Sequence, residues 1–411
     1  MSRPQLEVAD VFREYGPGYL AAFGDSLLPD QRRVLSDIVR CRTAVLGGHV
    51  EGCDRCGHQR ISYNSCRNRH CPKCQAAARA EWMEAQAKDL LPVPYFHVVF
   101  TLPEVLAPVA LQNKRVVYDV LFRAVAETLK EIALDPKYLG AEIGFLAVLH
   151  TWGQNLIHHP HLHCVVPAGG TSPDGQRWVS CHEDFFLPVR VLSRVFRGKF
   201  IDFLKRAFRG GQLSFHGKLE CYAEARRFEQ LVDVAVRHDW VVYAKRPFGG
   251  PEQVLKYLAR YTHRVAISNS RLVAMEAGKV SFRWKDYADG HREKTMTLDA
   301  CEFIRRFLMH VVPSGFMRIR HYGFLGNRHR QTKLALCRTL LGIATQESMA
   351  QPCDPCESDG IASESDVHAV CPACGTGRMW IIETFRPDKA TVVRRPFWPQ
   401  RPMLRADLDT S

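Results

Sequence analysis

The sequence predicts an α+β protein with a mainly antiparallel sheet flanked by helices, and three observations carry that expectation. Short runs rich in β-branched and aromatic residues, YFHVVFTL, GFLAVLHTW and HLHCVVP, have the length and composition of strands. Long stretches with the apolar spacing of amphipathic helices, VVYDVLFRAVAETLKEIAL and LPVRVLSRVFRGKFIDFLKRAF, separate and follow them. Four CxxC pairs sit outside this alternation, towards the two ends of the chain, and mark small metal-built modules.

Taken in order, residues 1–45 read as helical, and LPDQRRVLSDIVRC gives an amphipathic helix opened by Pro29 and Asp30. A cysteine-rich module follows. AAARAEWMEAQAKDLL, from Ala76 to Leu91, consists of strong helix formers and stops at Pro92. After the strands and helices already named, the polar stretch from Gly169 to Gln176 is a hairpin or loop. SRLVAMEAGKVSFRWKDYADGHREKTMTL reads as further strands with turns at AGK and ADG. Beyond Lys333, QESMAQPCDPCESDGIASESD has the acidic, Ser- and Pro-bearing texture of a linker, and ATVVRRPFWPQRPMLRADLDTS that of a tail with little fold. The expected domains are therefore 1–91, helical and zinc-binding; 92–335, the functional core; and 336–411, linker, zinc ribbon and tail.

Fifty-six Lys and Arg against 43 Asp and Glu leave a net charge of +13 over 411 residues, which makes a polyanion the first partner to consider. With 46% hydrophobic and 24% charged positions, disorder, a collagen and a bare coiled coil are excluded. The most apolar stretch, Tyr95 to Leu111, is broken by His97, Pro103 and Glu104, so no transmembrane helix is expected. MSRPQLEVADVFREYG places Asp, Glu and Arg where a signal peptide needs an apolar run, and a cytoplasmic location with reduced thiols follows.

Eight of the fifteen cysteines form the CxxC pairs. Cys53 and Cys56 precede Cys71 and Cys74 by 14 intervening residues, and Cys353 and Cys356 precede Cys371 and Cys374 by the same interval. Two thiolates two residues apart grip one ion from a single turn, so each set of four reads as one tetrahedral zinc site. Cys66, His58 and His70 lie between the first two pairs, and one of them could replace a cysteine. The loop SCRNRHCPKCQ also carries Arg67, Arg69 and Lys73, so the module either holds a cationic surface toward DNA phosphates or is purely structural.

Five of the 18 histidines fall within LHTWGQNLIHHPHLHCVVP. On a strand, residues i and i+2 share a face, so His161 and His163 can bind one divalent cation while Leu162 enters the core. His150 is the best-placed third ligand if its strand pairs antiparallel with HLHCVV, and Gln154 is the runner-up. His158 and His159 are assigned to the connecting turn, solvated or against phosphate. A hundred residues on, EQVLKYLARYTHRV sets Tyr257 and Tyr261 four apart, on one helix face about 6 Å apart along the axis. Lys256, Arg260, His263 and Arg264 surround them with charge that would hold phosphates and ease formation of a phenolate. Two tyrosines of a packed helix would give the same spacing. HVVPSGFMRIRHYGFLGNRHRQTK combines Arg318, Arg320 and Arg328 with Phe316, Tyr322 and Phe324, a mix suited to phosphates and unpaired bases and equally to a solvated basic face.

The His161-Leu162-His163 pair with a downstream tyrosine resembles the HUH endonucleases. With the paired tyrosines of YLARY, the front module ending SCRNRHCPKCQ and the string LMHVVPSGFMRIRHYGFLGN, the chain is similar to rolling-circle, two-tyrosine transposases of the insertion sequence ninety-one family over about residues 20–335. The resemblance implies an HUH nuclease core, with FHVVFTLP as the first motif strand, HPHLH as the metal strand and YLARY as the nucleophile helix. It also implies Mg²⁺ or Mn²⁺ at the histidines, structural Zn²⁺ at the cysteines, a 5′-phosphotyrosine intermediate, and a bacterial protein working at the nucleoid. The implied partner is single-stranded DNA, the hairpin ends of a mobile element, and self-association is compatible with this picture. A plasmid or phage rolling-circle initiator or relaxase shares the chemistry, and a non-catalytic zinc-dependent DNA-binding regulator would need the His and Tyr features to be coincidental. The second cysteine set departs from the family pattern, and recognition, recruitment and folding of the tail all stay open for it.

Overall fold

A computed structural model describes residues 6–182, 186–248, 253, 265–287, 289–290, 292–343, 369–387 and 389–394. The described strands are β1 (Gly48–Cys53), β2 (Gln59–Tyr63), β3 (Tyr95–Thr101), β4 (Phe145–Trp152), β5 (His158–Pro167), β6 (Gly169–Thr171), β7 (Trp178–Ser180), β8 (Val242–Phe248), β9 (Leu272–Glu276), β10 (Lys279–Asp286), β11 (Arg292–Asp299), β12 (Ile319–Tyr322), β13 (Met379–Arg386) and β14 (Lys389–Arg394). With helices between and after them, the chain is α+β.

The chain divides into two units: Met1–Leu35 with Asn68–Ala350, and Ser36–Arg67 with Gln351–Ser411. These units interleave along the chain, unlike the linear boundaries drawn from the sequence, and packing accounts for the place of the first helix. Helix Val8–Phe23 belongs with the core unit because Phe12 meets Phe307 edge to face at 5.1 Å and the Val8 N–H donates to Asn269 Oδ1 at 3.1 Å. Gln31 adds a bond from its Nε2 to the Leu308 carbonyl at 3.0 Å.

The larger unit is built on a five-stranded sheet of order β12-β4-β5-β3-β8 with antiparallel neighbours throughout. Alternation splits its side chains cleanly. Phe96, Val98, Phe100, Phe145, Ala147, Leu149, Leu162, Cys164 and Val166 face the main core, which helices Lys114–Leu134, Val189–Arg209 and Ala225–Val236 cover. Phe122, Phe196 and Phe200 are fully buried there, each contributing roughly 2 kcal/mol of hydrophobic stabilisation. On the other face Tyr95, Leu146, Val148 and Val165 form a smaller cluster with Trp82, Leu90 and Val93. That second face carries the histidines.

Strands β9, β10 and β11 make a separate antiparallel sheet. The AGK turn lies in left-handed backbone, with φ of 48° at Ala277 and 75° at Gly278. Phe282 packs on Phe303 of helix Ala300–Met309 at 5.9 Å. The stretch after Gly169 is a hairpin, Gly169 to Thr171 pairing with Trp178 to Ser180. No helix among the described residues is long and apolar enough to cross a membrane.

The smaller unit holds a four-stranded sheet of order β14-β13-β1-β2. Part of the expected unstructured tail is thus a strand: Lys389–Arg394 pairs antiparallel with Met379–Arg386. The apolar alternation in ATVVR was too short to outweigh the surrounding Pro and Arg in a reading by composition.

Candidate metal centre

The register of the central sheet brings three histidines to one place. His150 on β4 stands opposite His161 on β5, and His163, two residues further, stands opposite Val148 on one side and Val99 of β3 on the other. One ring nitrogen from each of His150, His161 and His163 lies within 4.8 Å of the others, a spacing that a single cation can bridge. The rings meet at steep angles, 82° between His150 and His161 and 69° between His161 and His163, so they converge from different directions. His150 and His163 are buried and His161 is half-buried at the mouth of a cavity of about 550 Å³.

Two of the rings are held by their far sides. His161 Nδ1 donates to the His159 carbonyl at 2.6 Å, which leaves Nε2 with its lone pair toward the cluster. His163 Nδ1 lies 2.8 Å from Nε2 of buried His97 on β3, the two rings stacked at 5.0 Å. Burial holds His97 down at about 4, with Lys245 adding to the effect, so it is neutral and can accept the His163 proton. The sequence reading assigned FHVVFTLP to the motif strand without singling out His97. Parity was the available signal, because His97 alternates with Phe96 and Val98 and so shares the metal face. His150 is backed by Trp152, stacked at 4.8 Å.

The β4–β5 turn is clamped from below. His310 contacts Thr151 Oγ1 through Nδ1 at 3.2 Å and donates from Nε2 to the Leu156 carbonyl at 3.1 Å, while Arg306 donates to the Asn155 carbonyl at 3.0 Å. His158 differs from its expected place in a solvated turn. It belongs to β5 and, by alternation, points into the core, where its Nε2 lies 2.8 Å from the Tyr118 hydroxyl. His159 is exposed, and Gln154 donates to the Tyr287 hydroxyl at 3.3 Å rather than joining the three imidazoles.

The cysteines are regrouped. In the smaller unit, Cys53, Cys56, Cys371 and Cys374 place their sulfurs within 4.8 Å of one another, with Cys53 3.8 Å from Cys374 and Cys56 3.7 Å from Cys371. Cys71 and Cys74 therefore do not complete the site of Cys53 and Cys56, and the partners of Cys371 and Cys374 are the N-terminal pair. The physical reason is strand pairing: β1 ends at Cys53 opposite Met379 of β13, so the turns at the strand ends face each other. Each turn is CxxCG, with Gly57 at φ 72° and Gly375 at φ 67° turning the chain back. The Thr376 and Gly377 groups donate to Cys374 and draw its thiol down to about 6, a thiolate ready for zinc. Cys353 and Cys356 lie outside the described residues, as do Tyr257, Tyr261, Lys256, Arg260 and Arg264.

Most of the other basic candidates are engaged inside the protein. Arg318 is buried and donates to Gln75 Oε1 at 3.1 Å, and burial pulls it down to about 10. Arg69 donates to the Phe316 carbonyl, Lys73 pairs with Glu7 at 2.5 Å, and Arg320 pairs with Asp119 while lying 4.1 Å over Phe122. These four cations are engaged by protein groups in this structure, which composition could not show because it cannot tell a cation that faces solvent from one that satisfies a carbonyl or a ring. Arg67 and Arg328 are exposed.

Residues 144–333 match the family model described as "Putative transposase", and residues 11–102 match "Transposase zinc-binding domain" of the IS91 type. The chain is 58% identical over 390 residues to "Putative transposase y4qJ" of Sinorhizobium fredii, covering 94% of this chain and 97% of that protein. It is 30% identical to the transposase for insertion sequence element IS801 of Pseudomonas savastanoi pv. phaseolicola, covering 72% and 70% respectively. Among solved structures it is similar to the conjugative relaxase TrwC in complex with oriT DNA, metal-bound, at 15% identity and a TM-score of 0.23, over 61% of this chain and 73% of that one.

Proposed function

Because the chain belongs to the IS91-type insertion-sequence transposases, we propose that it cuts and rejoins single-stranded DNA at the ends of its mobile element, with Tyr257 and Tyr261 as nucleophiles. The observation that carries the reading is the convergence of three imidazoles at the end of the central sheet, beside an open cavity. The donor set fits a divalent cation. Among the described residues the group holds three nitrogens and no carboxylate, a donor set that favours Mn²⁺ over Mg²⁺, which prefers oxygen.

Such an ion, when bound, withdraws electron density from the scissile phosphate and eases departure of the leaving oxygen. His150, His161 and His163 hold their lone pairs in place, and the His159 carbonyl and His97 keep two of the rings from turning. The phenolate of Tyr257 or Tyr261 forms a bond to phosphorus, the bond to the 3′ oxygen breaks, and that oxygen takes up a proton as a free 3′-hydroxyl. The phosphotyrosine ester conserves the energy of the broken bond, so rejoining needs no nucleoside triphosphate, and two tyrosines suit an exchange of two strands. Lys256, Arg260 and Arg264 would steady the phenolate.

Described residues on either side of the tyrosine segment belong to the same unit as the histidines. Phe248 pairs with Tyr95 of β3, and Arg271 donates to the Gln154 carbonyl at 2.5 Å, beside the histidines.

The test is a single-stranded hairpin oligonucleotide with Mn²⁺. A protein-linked DNA band is expected, and among the tyrosine variants it should be lost only when Tyr257→Phe and Tyr261→Phe are combined. His161→Ala and His163→Ala should lose cleavage and keep DNA binding. No covalent adduct with any divalent metal would favour the non-catalytic regulator.

A further inference from the structure

The cavity at the histidines does not end there. A second cavity of about 440 Å³ shares Gln154, Trp284, Lys285 and Tyr287 with it, so the two form one trough running from the metal centre along strand β10. The walls of its outer half differ chemically from the imidazole end. Tyr287 is 61% exposed and takes a hydrogen bond from Gln154 on its hydroxyl. Trp284 follows Val280 and Phe282 on the same strand face, and those two are buried, yet Trp284 is only half-buried and lines both cavities.

Charge in the trough is unevenly matched. Asp286 pairs with Lys294 at 2.9 Å and Glu293 lies 3.8 Å from Arg283, which engages the acids on strands β10 and β11 that line the trough, while Glu104 lines its imidazole end. Lys285 is exposed and has no partner among the described residues. Arg271 ties the two halves together, donating to the Arg283 carbonyl at 2.7 Å and to the Gln154 carbonyl, so β10 is fixed relative to the β4–β5 turn. Two partly exposed rings lining one trough, a lysine with no partner among the described residues and a rigid link to the imidazole cluster are what unpaired nucleotides need: stacking for the bases and a cation for the backbone.

We propose that this trough is a subsite for the nucleotides adjoining the cleaved phosphate, with bases stacked on Trp284 and Tyr287 and the backbone held by Lys285. It rests on the single-stranded DNA reading above. The experiment is binding of a fluorescein-labelled 15-mer of dT by the zinc-loaded protein without added Mn²⁺ or Mg²⁺, which removes cleavage from the measurement and leaves the cysteine sites filled. Trp284→Ala and Tyr287→Ala should each weaken binding about 10-fold with the salt dependence unchanged, and Trp284→Phe and Tyr287→Phe should restore it. Lys285→Ala should instead lower the slope of log affinity against log salt by about 0.7. Alanine variants that bind within two-fold of the parent, or that lose duplex binding equally, overturn the subsite. If the parent protein forms a DNA adduct while these variants bind normally, only the trough falls. If the parent binds the 15-mer through its aromatics but never forms an adduct, only the nuclease reading falls.

Discussion

A metal centre made of neutral imidazoles is only as good as the groups that stop those rings from rotating. His163 has one such group, His97, buried and 2.8 Å away. Deleting a partner behind a metal ligand typically lowers metal affinity 10- to 100-fold. His97→Ala should therefore weaken Mn²⁺ binding by about that factor in calorimetry, while His97→Gln, which retains an acceptor, should recover much of it. Equal Mn²⁺ affinity in the alanine variant would show that packing alone holds His163. The ligands themselves were legible because HLH on a strand forces a shared face and an antiparallel neighbour puts His150 opposite. His97 was missed because parity puts it on the metal face but a lone histidine in an apolar run names no partner. The internal cations failed for a related reason: nothing local to Arg318 or Lys73 announces the Gln75 or Glu7 that receives it.

At the scale of elements, strand and helix periodicity was readable wherever a segment was long enough to repeat, as in β3, β4, β5 and helix Lys114–Leu134. What supports the turn between β4 and β5 was not readable, since His310 arrives from a segment 150 residues away. Burial pushes His158 and His310 down to about 3 each, with Lys114 adding to it for His158 and His158 itself for His310. In the unfolded chain both titrate near 6.5. Between those values the unfolded state holds the extra protons, so stability falls as pH falls, by about 1.4 kcal/mol per pH unit for each histidine. Urea midpoints should drop steadily from pH 7 to pH 5. His310→Gln should be less stable at pH 7 but show a slope smaller by one proton, and a slope unchanged from the parent protein would remove His310 from the account.

For the molecule as a whole, the equal 14-residue intervals suggested two zinc sites, each local in sequence, whereas the smaller unit joins two stretches from opposite ends of the chain. The local sequence did hold a discriminating feature. Only the pairs at Cys53 and Cys371 continue as CxxCG, and these are the two that share a cluster, whereas Cys74 is followed by Gln75 and Cys356 by Glu357. Four thiols satisfy one tetrahedral ion, so Cys353 and Cys356 are surplus to that site. The matched zinc-binding region holds six cysteines, and with Cys53 and Cys56 committed, Cys41, Cys66, Cys71 and Cys74 are the thiols left for a second ion. Metal analysis should then find about two zinc ions per chain. Replacing Cys53 and Cys56 by serine should remove one, and replacing Cys371 and Cys374 in addition should remove no more, since all four serve the same ion. Replacing Cys353 and Cys356 should leave the content unchanged. If the fourfold variant instead loses both ions, each CxxC pair serves the ion nearest in sequence and the interleaved unit is wrong. Because ligand binding and folding are coupled in such small sheets, the fourfold variant should also lose protection of the β1–β13 amides from hydrogen exchange while the five-stranded sheet keeps its own.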